Sequence, residues 1–130
     1  VMDSPTPLVE DRAAMLLGVA QLYQGREADA KLQFETSIRS ANVILSKSRL
    51  AYRARYSQAL AHYGLLLIDP QNALLSQEPI SEVRELFRQS VAGCHEKGAI
   101  TELTIPYNLL KPKDLRSLFQ EIDPILVPNQ

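Results

Sequence analysis

Prolines and glycines divide this chain into segments of helix length, and between them apolar residues recur every three or four positions, the period of a helix with a packed face. Pro5 and Pro7 follow Ser4 and Thr6, a cap residue with proline in the first helical position. A helix is therefore expected over residues 7–24. In it Leu16, Val19, Ala20 and Tyr23 form one stripe and Leu8, Met15 and Leu22 a second, so two faces are apolar. Gly25 suits the left-handed backbone that ends a helix. The next helix, 27–45, aligns Ala30, Phe34, Ile38, Ala41 and Leu45. A third, 48–68, has Leu50, Ala54, Ala61, Leu65 and Ile68 in one row and Tyr52, Tyr56, Tyr63 and Leu67 in another, before Asp69-Pro70 ends it. After a connector over 71–79, a fourth helix is expected over 80–97, with Val83, Phe87 and Cys94 inward and Gly98 closing it. Residues 100–106, rich in threonine and isoleucine and ending in Pro106, read as an extended arm. A short fifth helix from Pro112 or Lys113 carries Leu115, Leu118, Phe119 and Ile122 on one face and stops at Pro124.

A chain of 130 residues with 45% hydrophobic content makes one folded domain, 1–130, and not a disordered or fibrous segment. Its single Cys94 and two histidines cannot build an internal disulfide or a cysteine-based zinc cage. The longest apolar run, 59–68, is broken by His62 and is too short to span a bilayer. With no signal-like leader after Val1, the expectation is a soluble, cytoplasmic chain with no membrane partner.

Two helices share a local pattern. Leu32-Gln33-Phe34 is followed after two residues by Ser37-Ile38, and Glu85-Leu86-Phe87 is followed after two residues by Ser90-Val91. Each places a large knob beside a small notch on adjacent turns. Leu17-Gly18, Ala20, Gly25, Ala30, Phe34 and Ser37-Ile38 together resemble a tetratricopeptide repeat, a helix-turn-helix unit of about 34 residues, over residues 14–42. Ala14 stands where that family often has tryptophan, and Asn42 where it favours proline. The second pair matches through Val83, Phe87, Ser90 and Val91, with Phe87 53 positions after Phe34, so an insertion at 69–79 is implied. The expected architecture is all-α: antiparallel helix pairs, 7–45 and 48–97, stacked as a short tetratricopeptide-like superhelix, with an extended arm and capping helix over 99–130. A helical bundle outside the family is the alternative. Two units are few for a solenoid, so the fifth helix, a second copy of the chain in a homodimer, or a larger partner must cover the exposed faces.

Catalytic chemistry finds little footing. Gly93 and Gly98 flank Cys-His-Glu-Lys without the strand or the Lys-Ser/Thr of a phosphate loop, and His95-Glu96 lacks a second histidine because Ala99 stands there. Cys94 and His95 are helical neighbours pointing about 100° apart, which suits a core thiol and a surface imidazole rather than a nucleophile and its base. His62 reads as a hydrogen-bonded interior or groove residue. No enzyme activity, cofactor or metal is expected.

Charge is unevenly placed. No Asp or Glu occurs over 36–68, where Arg39, Lys47, Arg49, Arg53 and Arg55 concentrate positive charge on a chain of net charge -1. Such a stretch, 39–55, with Tyr52 and Tyr56 nearby, suits an acidic peptide or nucleic acid, or simply a solvated face. The resemblance implies a concave groove lined by the first helix of each pair, here Arg12, Met15, Val19, Leu22 and Tyr23 with Arg49, Tyr52, Arg53, Tyr56 and Tyr63. The expected function is that of an adaptor, scaffold or chaperone module binding an apolar, amphipathic or acidic segment of another protein in that groove. The alternative is a nucleic-acid-binding helical module.

Overall fold

Helix α1 (Pro7–Tyr23) and helix α2 (Glu27–Lys47) are joined by a three-residue turn in which Gly25 takes φ +77°, a conformation that glycine adopts without a Cβ penalty. A computed structural model describes residues 7–48, 51–68, 78–93, 97–115 and 117–126. Ser40 donates to Glu10 and Ser37 to the Asp11 carbonyl, while Phe34 lies against Gly18, so α1 and α2 run antiparallel. Helix α3 (Tyr52–Ile68) continues the layer: Gln58 meets Asn42 and Gly64 meets Phe34. Its start is later than expected, because Ser48 is extended and ends α2 with its N–H on the Ile44 carbonyl.

The Phe34 ring is a wedge between two helices. A methyl group on Gly18 would stand 2.7 Å from Cε1 of that ring, and one on Gly64 2.6 Å from Cε2 and Cζ, so neither α1 nor α3 has room for even an alanine there. Around the wedge the core gathers Met15, Val19, Leu22, Ala30, Leu60, Tyr63 and Leu66.

Helix α4 (Glu78–Gly93) packs on α3; Ser90 donates to the Arg55 carbonyl and to Leu86 in its own helix. Residues 71–77 of the expected connector, and Cys94, His95 and Glu96 of the fourth segment, lie outside the described residues, while Glu78 and Pro79 already belong to α4. Helix α5 (Lys97–Leu110) then corrects the reading of 100–106 as an extended arm. Gly98 lies in its first turn rather than closing α4. Weak local preference for strand yields here to packing: Leu103, Tyr107 and Leu110, at spacings of four and three, are all buried.

Pro106 inside α5 lacks the N–H that the carbonyl of Glu102, four residues earlier, would otherwise accept. Arg12 of α1 fills that role, its Nη1 donating to the Glu102 carbonyl at 3.3 Å. A guanidinium from a neighbouring helix thus repairs the backbone defect and ties α5 to α1.

The expected capping helix from Pro112 or Lys113 is also corrected. Lys111–Lys113 and Leu118–Glu121 are 3₁₀ turns, and a four-residue helix, α6 (Asp123–Leu126), follows. Asp114 is extended (φ -90°, ψ 90°) and Ser117 has φ 59°, so no helix runs through. Ile122 is buried and Leu118 and Phe119 pack against the core, whereas Leu115, expected on the same face, is 93% exposed. The described residues form an all-α bundle of six helices in which neighbours in sequence are mostly neighbours in space.

Candidate functional site

Five of the expected groove residues are core. Met15, Leu22, Tyr56 and Tyr63 are buried, which overturns their reading as the lining of an open hollow, and Val19 is buried too except where it edges an apolar depression beside Leu109. Over Tyr63 the cover is the chain's own C-terminal segment. Tyr63 of α3 donates its hydroxyl to Asp114 Oδ2 at 2.7 Å, and its ring meets Phe87 of α4 and Tyr107 of α5 at centroid distances of 6.3 and 5.5 Å. Asp114 in turn accepts the N–H groups of Leu118 and Phe119, as a capping carboxylate does at a helix start. Tyr107 donates to Asp123, and Lys111 pairs with the same carboxylate at 3.2 Å. Burial first, and then the Asp114 and Asp123 carboxylates, push both phenols far above the usual tyrosine range. They stay protonated and serve as donors.

The basic residues are largely engaged within the chain. Arg53 pairs with Glu102 at 2.9 Å and lies over the Tyr52 ring; the Glu102 hydrogen bond and charge hold it above its ordinary pKa. Tyr52 packs edge-on to Tyr56, 5.4 Å between centroids. Arg55 donates to Gln89 and Arg39 to Thr36. Arg12 serves the Glu102 carbonyl, and Arg49 lies outside the described residues. Glu102 therefore joins α1, α3 and α5, and the arginines around it hold helices together.

What α1 leaves bare is its outer face. No charged residue occurs between Arg12 and Arg26, yet Ala13, Leu16, Leu17, Ala20, Tyr23 and Gln24 are exposed, Leu16 at 39% and Tyr23 at 47%. An exposed helix face normally carries charge. Between this face and α5 lies an open apolar depression of about 460 Å³ lined by Leu16, Val19, Ala20, Tyr23, Gln24 and Leu109, with Ile105 60% exposed one turn before Leu109. Tyr23 donates to the Leu109 carbonyl, fixing one rim, and the Lys113 ammonium sits 4.6 Å from the Tyr23 ring in cation–π range. Of the expected site residues, only Tyr23 and the buried Val19 line this depression. Leu109 and Ile105 escape sequence reading because α5 begins in what looks like an extended segment. The uncharged run over 13–25 was the available signal.

Two further titratable groups, the buried Asp11 and the half-buried His62, lie elsewhere in the bundle. Burial raises the Asp11 carboxyl, with Ser57 acting in the opposite sense. Burial lowers the His62 imidazole, offset in part by Glu82. Neither faces the depression. Among the described residues no cluster of three or more His, Cys, Asp or Glu is placed to hold a metal ion, and no helix is long and apolar enough to cross a membrane.

Comparison with known proteins finds no family model that matches the chain, and no similar curated protein or solved structure.

Proposed function

We propose that this chain is a non-catalytic helical interaction module, an adaptor or scaffold that binds another polypeptide through the outer face of α1 and the adjoining edge of α5. The observation that carries the reading is the uncharged, exposed surface of Ala13, Leu16, Leu17, Ala20 and Tyr23 beside the apolar depression reaching Leu109. Apolar surface of this kind gains from burial, at about 25 cal/mol per Å² removed from water, and contiguous bare patches mark interaction sites. A tetratricopeptide-like unit over α1 and α2 is supported by the Phe34 wedge between Gly18 and Gly64, where a large side chain of one helix enters small-residue notches of both neighbours. In this reading the concave aromatic surface is not the docking site, because Tyr63, Phe87 and Tyr107 already receive the C-terminal segment. The single Cys94 accords with a reducing compartment such as the cytoplasm.

The test is comparative capture from the native host with wild-type chain and Leu109→Glu, with Tyr63→Phe as a control for altered packing. A protein retained by wild type and Tyr63→Phe but lost from Leu109→Glu supports the assigned face; identical recoveries with all three baits refute it. Binding of labelled single-stranded RNA that falls steeply with salt would replace this reading by the nucleic-acid one.

A further inference from the structure

Along the bare face of α1, Ala13, Leu16, Ala20 and Tyr23 occupy one row at steps of three, four and three residues, so their side chains lie one above another. Their sizes alternate: small, large, small, large. Such a row reversed end to end offers a large side chain wherever the original offers a small one. Two copies laid antiparallel with Gly18 at the centre set Ala13 against Tyr23 and Leu16 against Ala20, each twice. Laid parallel in register, the same rows set large against large and small against small. A contact about a two-fold axis requires a patch complementary to itself, and this row meets that requirement in one orientation.

Charge and area agree with the geometry. From Ala13 to Gln24 helix α1 itself carries no charge, so self-pairing opposes no like charges along the helix; the Lys113 ammonium over the Tyr23 ring lies at the rim of the contact. The exposed parts of Leu16, Leu17, Tyr23, Ile105 and Leu109, with Ala13, Ala20 and Gln24, set the most this contact can bury at on the order of 1,200 Å² over two copies, which makes it a small interface. The antiparallel two-fold keeps α5 on the same side in both copies, so each depression beside Leu109 faces the Ile105 edge of the other chain.

We propose that the occupant of this face is a second copy of the chain, docked through antiparallel α1 helices about a two-fold axis level with Gly18. The inference rests on reading that face as an interaction surface and names its partner. A small, uncharged contact of this kind is expected to be reversible, with its strength set by how well the Leu16 and Tyr23 side chains seat rather than by area.

Sedimentation velocity from about 1 µM to about 1 mM tests the assembly. The expected result is a shift from one protomer to two across that range, with Leu16→Glu and Ala20→Glu each weakening association at least tenfold while helicity and unfolding temperature stay near wild type. Register is read by cross-linking in a Cys94→Ser background. A mixture of Leu16→Cys and Ala20→Cys chains forms a disulfide-linked pair faster than either variant alone. A chain monomeric throughout overturns the second copy as occupant and leaves the interaction-module reading to its own capture experiment. A dimer indifferent to both glutamates, or cross-linking without preference for the mixture, overturns the assigned face and register.

Discussion

The Phe34 ring lies so near Gly64 that a methyl group on the glycine would stand 2.6 Å from its Cε2 and Cζ carbons. Gly64→Ala, and likewise Gly18→Ala, must push the ring or part the helices, at about 1–3 kcal/mol each. Phe34→Leu removes the obstacle at its own cost in packing, so the cost of Gly64→Ala drops in that background. Urea unfolding of the two single variants and the double variant measures the coupling; equal costs in both backgrounds would show that the ring is not what the glycine accommodates.

Arg12 and Pro106 are linked through one acceptor, the Glu102 carbonyl. Arg12→Ala leaves that carbonyl without its donor and is expected to cost about 1 kcal/mol. In a Pro106→Ala background the helix supplies its own N–H, and the same substitution should cost much less, giving a coupling energy of about 1 kcal/mol. Additive effects would deny the link.

Asp114 accepts from Tyr63 Oη and from the N–H groups of Leu118 and Phe119. Asp114→Asn keeps the shape but replaces one acceptor oxygen by an NH2 donor, so at least one of these bonds is lost and the others lose the carboxylate's charge; a loss of about 2 kcal/mol is expected, against about 1 kcal/mol for Tyr63→Phe. Hydrogen exchange locates the effect: in Asp114→Asn the Leu118 and Phe119 amides should exchange faster than amides in α2. Uniform acceleration across the chain would count against a local latch.

Acid and base act in opposite senses on Asp11 and His62. The folded state raises the Asp11 pKa above 3.8, so it holds the proton more tightly than the unfolded chain does, and stability falls as pH rises through that window. Asp11→Asn should remove this fall and raise the unfolding temperature at pH 7. His62 is depressed below 6.5; its contribution is present above that pH and is lost as pH falls through the folded value. His62→Gln should therefore flatten the acid side of the profile just below pH 6.5. Thermal unfolding of the three proteins from pH 3.5 to about 8 checks both signs.

The first three helices were legible because punctuation and period agree: Pro7, Gly25 and Asp69-Pro70 bracket stripes such as Ala30, Phe34, Ile38 and Ala41. Helix α5 was not, since its isoleucines, threonines and proline argue locally for extension, and only contacts with Arg12 and the α3 and α4 aromatics reverse that preference. The site divides the same way. Apolar stripes on α1 and α3 can be read from spacing, but spacing does not say which stripe the rest of the chain covers. Tyr63 and Leu16 look alike in sequence; Asp114, 51 residues beyond Tyr63, settles that one is sealed while the other stays bare. Gly64 passed unnoticed because its importance comes from Phe34, on another helix.

The cover over Tyr63, Phe87 and Tyr107 is tethered to the very domain it covers. Its local concentration is set by the chain and, for a short link, is in the millimolar range, whatever the amount of protein in solution. Dilution cannot strip it away. A free peptide competing for those rings would have to outbid an intramolecular rival that is always present, whereas any contact made by the outer side of α1 fades as the protein becomes scarce. The two surfaces thus answer to different variables, one to the strength of the Asp114 latch and the other to abundance.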